Sequence, residues 1–184
     1  MFAVICEQTR QEALEIIMTA SVPTPGPVDQ ANPFSLDHSL THLLHRVGQC
    51  ATDAFQRYAG DLQITARQFA VLMAVARKDG ASQMDIVKLT GIDRSTLADM
   101  VSRMLAKGLI ERQRSKVDGR AYALSLTESG RNALERSIPA ASRADDVLLA
   151  TLDSERREKL IEALNQVLQN LGSAEVHNES DKAA

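Results

Sequence analysis

Basic residues are concentrated in the middle of the chain, where they could neutralise the phosphates of a nucleic acid. Between Ser82 and Leu126 there are eight lysines and arginines against five acidic residues, a net charge of +3, although the whole 184-residue chain carries −3. Cations bind a nucleic acid tightly because the phosphates release their condensed counterions on contact. The asymmetry therefore predicts that the protein, although acidic overall, has one basic surface that binds a polyanion.

Part of this basic segment has the periodicity of an amphipathic helix. Its apolar residues recur every three or four positions and are Leu97, Met100, Val101, Met104 and Leu105. The opposite face then presents Ser95, Asp99, Ser102 and Ala106, flanked by Thr96 and Arg103. Short polar groups near a helix start are typical of a helix that reads the major groove, but an ordinary surface helix has the same pattern.

A predicted hairpin favours the nucleic-acid interpretation. After Gly108 the apolar period changes from 3.6 to 2, which predicts strands over Leu109–Arg114 and Arg120–Leu126, with Tyr122, Leu124 and Leu126 on one face. Asp118-Gly119 lies in the connecting loop. Four cations are concentrated on this small projection, where they could reach phosphates or a minor groove, namely Arg112, Arg114, Lys116 and Arg120.

The elements that must position these residues are mainly helical. A leucine stripe predicts a long helix from Ser35 to Ala59. Potential N-terminal caps then mark five further helices, and they are Thr65 (with Gln68), Ser82, Asp93, Thr127 and Asp153. Pro139 is expected to interrupt or kink the helix after Thr127. Apolar residues of the last helix keep near-heptad spacing from Leu160 to Leu171.

Composition shifts divide the chain further. Four of the five prolines fall in Ser21–Pro33, which predicts a linker, and Arg10–Thr19 before it could form a short helix. The predicted regions are an extension with linker (1–33), a first long helix (34–60), the helix-turn-helix with hairpin (61–126), C-terminal helices (127–171) and a polar, disordered tail (172–184). The predicted fold class is mainly α with a small β-hairpin wing, a winged helix-turn-helix.

Five ordered segments give the chain a family resemblance. They are Phe69-Ala-Val-Leu72, Gly91-Ile-Asp-Arg-Ser-Thr-Leu97, Arg103 with Gly108-Leu-Ile-Glu-Arg112, Asp118-Gly-Arg120, and Leu126-Thr-Glu-Ser-Gly130. Together they resemble the MarR (multiple antibiotic resistance regulator) family of transcription factors, over about Phe34 to Leu171. The resemblance implies a homodimer held by the first and last helices, with a wing that reaches the minor groove of duplex DNA.

The resemblance also implies roles for wing residues. Arg120 would enter the minor groove, and Asp118 would steady a basic side chain, with Arg103 as its expected partner. The sequence departs from relatives at Ala98 and Asp99, where they often carry threonine and a neutral or basic residue. Asp99 could pair with Arg103 one turn away or accept from a cytosine amino group.

A second group of candidate residues lies on the first helix. His38, His42 and His45 share a face at i, i+4 and i+7, a spacing that could hold a metal ion. No cysteine or carboxylate stands within one turn of the group's centre, so solvent or interface histidines are the favoured interpretation. By resemblance to ligand-binding MarR-like proteins, an anionic effector would be held by His42, His45, Arg46 and Arg67.

Other chemistries find little support in the sequence. Cys6 and Cys50 stand far apart, outside any metal or redox motif, and are expected to be free thiols in a reducing cytoplasm. No phosphate-binding glycine loop, nucleophile elbow or paired carboxylates appear, so we expect no catalytic residues and no cofactor. The opening residues do not resemble a signal peptide, and no apolar run is long enough to span a membrane.

The sequence therefore predicts a cytoplasmic DNA-binding regulator, a homodimeric repressor that a small anionic effector releases from a pseudo-palindromic operator. The alternatives are a metal-dependent protein that uses the histidine face, as a regulator or an enzyme, and a helical dimer with no nucleic-acid role. The predicted DNA-contacting residues are Arg94, Ser95, Thr96, Asp99, Ser102, Arg103, Arg112, Arg114, Lys116, Asp118 and Arg120.

Overall fold

The computed structural model describes residues 35–78, 80–114 and 122–181. These residues fall into two compact units, one ending at Asp146 and the other beginning at Val147. None of the helices in these ranges combines the length and apolar character needed to cross a membrane.

Within these ranges, helices and one hairpin follow in the predicted order. They are α1 Leu40–Ala59, α2 Ala66–Arg77, α3 Gln83–Thr90, α4 Arg94–Ala106, β1 Ile110–Arg114, β2 Tyr122–Leu126, α5 Glu128–Leu148 and α6 Ser154–Asp181. Two 3₁₀ turns, Leu36–His38 and Gly60–Leu62, flank α1. The predicted fold class, mainly α with a two-stranded antiparallel wing, is confirmed.

Capping side chains fix where most helices begin. Thr65 and Gln68 cap each other's backbone amides reciprocally, and Ser82 and Asp85 do the same. These side chains satisfy amides that the first turn of a helix leaves without a partner. The other predicted caps also accept backbone amides, and they are Asp93, Thr127 and Asp153.

The first long helix begins later than the sequence predicted. Leu36–His38 forms a 3₁₀ turn, and Ser39 is the N-cap of α1, accepting from the amide of His42 at 3.4 Å. A serine hydroxyl competes with the helix for backbone partners and therefore favours such a boundary. His38 consequently lies outside the helix that carries His42 and His45.

Two helices continue past positions where the sequence predicted an interruption, a kink or a disordered tail. α5 runs through Pro139 without interruption. Beyond the proline, Ala140 and Ala144 are buried in the same cluster as Phe55, and this packing offsets the one hydrogen bond that proline cannot donate. The backbone of α6 is helical to Asp181, beyond Gly172, where the sequence predicted the start of a disordered tail. A glycine costs a helix about 1 kcal/mol relative to alanine, which does not by itself end it.

Two clusters of buried side chains hold the unit that ends at Asp146. The larger joins α2, α3, α4 and the base of the hairpin, with Leu72, Ile86 and Val101 among its fully buried members. The smaller joins α1, α2 and α5 around Phe55, whose ring centroid lies 5.4 Å from that of Phe69. The first cluster supports the helix-turn-helix and the wing together.

Burial of β2 is more extensive than simple alternation predicted. Ala123 and Ser125 are buried as well as Leu124 and Leu126. At its other edge β2 pairs with backbone that precedes α3, where the amide of Leu124 donates to the carbonyl of Ala81 at 2.9 Å. Only the outer end of the strand, at Tyr122, is exposed.

Two helical segments leave rows of apolar side chains exposed. The α1 row, 41–63% exposed, comprises Leu36 of the preceding 3₁₀ turn together with Leu40, Leu43, Leu44 and Val47 of α1. The α6 row, 38–67% exposed, comprises Leu160, Ile161, Leu164, Val167, Leu168 and Leu171. α1 is buried only near its end, at Phe55 and Ala59. Contiguous exposed apolar surface of this kind marks an interaction site.

Candidate nucleic-acid interface

Gly91 and Asp93 form the turn between α3 and α4. Gly91 has a left-handed backbone (φ +67°), and its amide donates to the carbonyl of Val87 at 2.8 Å, which ends α3. Asp93 accepts from the Ser95 hydroxyl at 2.7 Å and from the Thr96 amide at 2.9 Å. These donors, the Ser95 hydroxyl foremost, hold the pKa of Asp93 well below its usual range. A charged carboxylate therefore caps α4 at neutral pH.

α4 packs one face into the core and presents the other to solvent. Leu97, Val101 and Met104 are at most 1% exposed, so the helix has no freedom to turn about its axis. The predicted outward face is exposed at Ser95, Asp99, Ser102, Arg103 and Ala106, whereas Thr96 is half-buried. Arg103 donates to Asp99 across this face, which confirms one of the two roles expected for Asp99.

Arg94 is the first residue of α4, and its side chain is exposed. Its guanidinium lies 3.8 Å from the sulfur of Met84 on α3. A thioether sulfur is a weak acceptor, so the guanidinium keeps most of its capacity to bind an anion.

The hairpin carries cations beyond a buried base. The strands pair in register from Ile110 opposite Leu126 to Arg114 opposite Tyr122. Ile110 and Leu126 are buried, and Arg112, two residues further along β1, is exposed. The remaining predicted wing residues lie outside the described residues, and they are Lys116, Asp118 and Arg120; the expected contact of Asp118 with Arg103 lies there too.

The predicted effector residues lie on two helices of the described chain, α1 and α2. His42 is half-buried, whereas His45 and Arg46 are exposed on the part of α1 that carries the apolar row. Arg67 lies on α2, where it lines a cavity of about 440 Å³ with Thr90 and Asp93.

A second, mainly apolar cavity opens to solvent on the other side of α2 from most of its buried residues, with Met73 and Leu89 exposed in it. It measures about 660 Å³ and lies along α2 and the end of α3, with Phe69, Met73 and Leu89 in its lining and Arg77 beside them. Ligand pockets are commonly of this size, apolar with a few polar groups. The sequence prediction missed Arg77, because only the packing of α3 against α2 shows that this arginine borders an apolar space.

The three histidines of the predicted metal-binding face form no metal-ligand group within the described residues of one chain. Within the described ranges, no group of three His, Cys, Asp or Glu side chains is placed to hold a metal ion. His38 is in the 3₁₀ turn and not in α1, so the helical spacing assumed for the three histidines does not apply. Cys50 is an exposed free thiol, and Cys6 lies outside the described residues.

Tyr122 is an exposed residue of the hairpin that is not among the predicted DNA-contacting residues. It was predicted as part of the apolar face of β2, but it is 60% exposed and its ring lies beside the guanidinium of Arg112. The sequence did contain a signal for this position, because Tyr122 is an aromatic residue two positions after Arg120, a predicted wing cation.

Comparisons with known proteins agree with this geometry. The MarR family model matches residues 62–121. The transcriptional repressor NicR of Pseudomonas putida is 29% identical over 148 residues, which cover 80% of this chain and 93% of NicR.

Solved structures are similar over most of their length. BpsR of Bordetella bronchiseptica, whose DNA binding is regulated by 6-hydroxynicotinic acid, is 29% identical with a TM-score of 0.68, over 74% of this chain and 97% of BpsR. The repressor CouR, bound to a 23-mer DNA duplex, is 30% identical with a TM-score of 0.65, over 72% of this chain and 94% of CouR. The chain therefore belongs to the MarR family of DNA-binding transcriptional regulators, which are not enzymes.

Proposed function

We propose that this protein is a homodimeric repressor that binds a pseudo-palindromic operator and leaves it when a small anionic effector binds. The observation that carries the DNA-binding part is the exposed polar face of α4, which buried Leu97, Val101 and Met104 hold in one orientation next to a cationic hairpin. The likeness to CouR on a DNA duplex supports it.

The two parts of the interface have different tasks. Side chains of α4 contact base edges and the adjoining phosphates in the major groove, and they are Arg94, Ser95, Thr96, Asp99, Ser102 and Arg103. Cations of the wing bind phosphates or the minor groove, and they are Arg112, Arg114, Lys116 and Arg120, with Asp118 steadying a basic neighbour. Sequence preference therefore resides in α4 and general affinity in the wing.

A second copy of the chain covers the exposed apolar rows. The rows of α1 and α6 hold eleven side chains that are each at least 38% exposed, which is unfavourable for an isolated chain. Pairing two copies about a two-fold axis buries them and presents two α4 helices to two half-sites.

The effector is an aromatic acid or its coenzyme A thioester. Two observations support this class, namely the apolar cavity beside Arg77 and the basic residues of α1 and α2, of which Arg46, Arg67 and His45 are exposed and His42 is half-buried. The structural relatives BpsR and CouR are associated with 6-hydroxynicotinic acid and p-coumaroyl-CoA, respectively, by their own structures. Release follows if the effector favours a dimer whose α4 helices no longer match the groove spacing.

A footprint on the DNA around the protein's own gene tests the function and yields the operator. Arg120→Ala should then weaken binding to operator and random duplexes alike. It should also reduce the slope of log K against log salt by about 0.9 for each lost phosphate contact, with two copies per dimer. Arg57→Ala, which removes an exposed cation from α1, is the matched control.

Substitution of Ser95 or Thr96 should change which operators are preferred, measured by selection from a duplex library, because base-edge contacts carry sequence information. No footprint, together with a salt slope that Arg120→Ala leaves unchanged, would favour the helical dimer without a nucleic-acid role.

A further inference from the structure

One face of the hairpin changes from apolar to cationic along its length. Residues directly opposite each other in an antiparallel pair share a face, and so do residues two apart on one strand. Arg112 and the opposite Leu124 therefore lie on the same face as Tyr122. At its base this face is closed by Ile110, which is 2% exposed. Along β2, from the base of the hairpin outward, Leu126 and Leu124 are buried and Tyr122 is the first residue of this face that is exposed to solvent.

The ring of Tyr122 lies against the side chain of Arg112. The guanidinium carbon is 5.9 Å from the ring centroid, within the range of a cation–π contact. Arg112 makes no salt bridge in the part of the chain that the structure describes. A ring attracts the cation without neutralising its charge and leaves the guanidinium N–H groups free to donate.

We propose that Tyr122 is a positioning residue for DNA binding, whose ring holds the Arg112 guanidinium extended along the wing so that it meets a phosphate with little further ordering. An unheld arginine loses rotamer entropy when it binds, and a held one has already lost part of it. The inference rests on the proposed DNA-binding function. It assigns to this wing a specific arginine–aromatic pair, in addition to its cations.

Four variants and a labelled random-sequence duplex test the pair by fluorescence anisotropy over a salt series. Arg112→Gln should lower both affinity and salt slope, the slope by about 0.9 per wing. Tyr122→Leu, which keeps an apolar side chain, should lower affinity about two- to fivefold per wing, the value of an exposed cation–π contact, and leave the slope unchanged. Tyr122→Phe should restore the affinity that Tyr122→Leu loses. In the Arg112→Gln background, Tyr122→Leu should have no further effect.

The outcomes separate the inference from the proposed function. If Arg112→Gln changes neither affinity nor slope, the role of Arg112 at the wing is wrong, and the positioning role falls with it. If Arg112→Gln weakens binding but Tyr122→Leu does not, or if the two losses simply add, only the positioning role is overturned. A Tyr122→Phe variant as weak as Tyr122→Leu also overturns it, because the hydroxyl and not the ring would then be the active group.

Discussion

Arg103 donates from Nη2 to Asp99 Oδ2 at 2.5 Å, one turn apart on the outward face of α4. Both side chains are about two-thirds exposed, at 64% and 66%. An exposed pair at i, i+4 is worth only about 0.3–0.5 kcal/mol, so DNA can separate the two groups at little cost. In the proposed complex with DNA, α4 thus carries a negative charge that either reads a base or repels phosphate.

Asp99→Asn should increase affinity for random duplexes and lower the ratio of operator to random binding. On any duplex, the substitution removes a negative charge that repels the phosphates. On the operator it also removes a carboxylate that accepts a hydrogen bond from a cytosine amino group. We expect a change of about 0.5–1 kcal/mol per helix, typical of one exposed charge. Anisotropy with both duplexes measures it. Glu111→Gln, on β1, is the control for charge alone. An equal gain on both duplexes would remove Asp99 from base recognition.

Gly130→Ala should destabilise the fold without touching the interface. A Cβ at Gly130 would stand 1.9 Å from the carbonyl oxygen of Leu109, so the start of α5 and the base of the hairpin must move apart. Overpacking of this kind costs about 1–3 kcal/mol. Urea denaturation at a fixed protein concentration measures the loss. Gly48→Ala, where nothing lies within 4 Å of the added Cβ, should be neutral or slightly stabilising. Equal effects at the two sites would contradict the close approach.

Asp85 should make the fold sensitive to acid. The Lys78 ammonium, at 2.7 Å, and then the Ser82 hydroxyl and amide lower the pKa of Asp85 from 3.8 to about 2. Because the folded-state pKa lies below the unfolded one, the carboxylate stabilises the fold above about pH 4 and loses this contribution as the pH falls toward 2.

Asp85→Asn should therefore cost about 1 kcal/mol at pH 7, as the loss of a helix cap does, and progressively less below pH 4. Urea denaturation at several pH values measures the difference. Asp61→Asn serves as the comparison, since Asp61 makes no salt bridge among the described residues. A difference between wild type and Asp85→Asn that stays constant from pH 7 to acid would refute the assignment.

Local interactions explain which features could be predicted from the sequence. The caps at Thr65 and Ser82 need only a side chain and an amide three residues away, and both were predicted correctly. The outward face of α4 was predictable for a similar reason, because 100° per residue fixes which side chains oppose Leu97 and Val101. Such features depend on a few consecutive residues.

Features that depend on distant packing were not predictable. α5 continues through Pro139 because Ala140 and Ala144 pack near Phe55, which is more than 80 residues away in the sequence. The contact of Tyr122 with Arg112 depends on the exact register of the two strands, and a shift of one residue would place them on opposite faces. The same holds for the cavity beside Arg77, which requires α3 to lie along α2.

Dimerisation should require the apolar row of α6. The double variant Leu164→Asp with Leu168→Asp places two carboxylates one turn apart in that row. If a second chain packed against the row, both carboxylates would lose their hydration, which is unfavourable. We expect analytical ultracentrifugation to show a monomer, and we expect operator binding to be lost. A monomer can contact only one of the two half-sites of a pseudo-palindromic operator. Gln166→Asp with Asn170→Asp has the same spacing and charge outside the row and should remain dimeric. Tight operator binding by a monomeric double variant would defeat the proposal.

Effector and operator should weaken each other's binding by the same factor, because coupling between two sites is reciprocal. Calorimetric titration with a panel of aromatic carboxylic acids, with and without operator, measures both factors. Arg46→Ala and Arg67→Ala test the predicted cations, and Arg77→Ala tests the cavity along α2 and α3. Loss of the cation that binds the carboxylate should raise the effector dissociation constant about tenfold or more, as loss of a charged hydrogen bond does.

These variants should keep normal DNA affinity without effector, which separates a pocket residue from one that only supports the fold. The variant with the raised dissociation constant then identifies the pocket, since Arg46 lies on α1 whereas Arg67 and Arg77 border different cavities. Unchanged effector affinity in all three would remove both pocket proposals. Release that instead depends on zinc and is abolished by substitution of His38, His42 or His45 would show that the signal is a metal. Two copies of the chain would then have to supply the ligand set, because the described residues of one chain contain no such group.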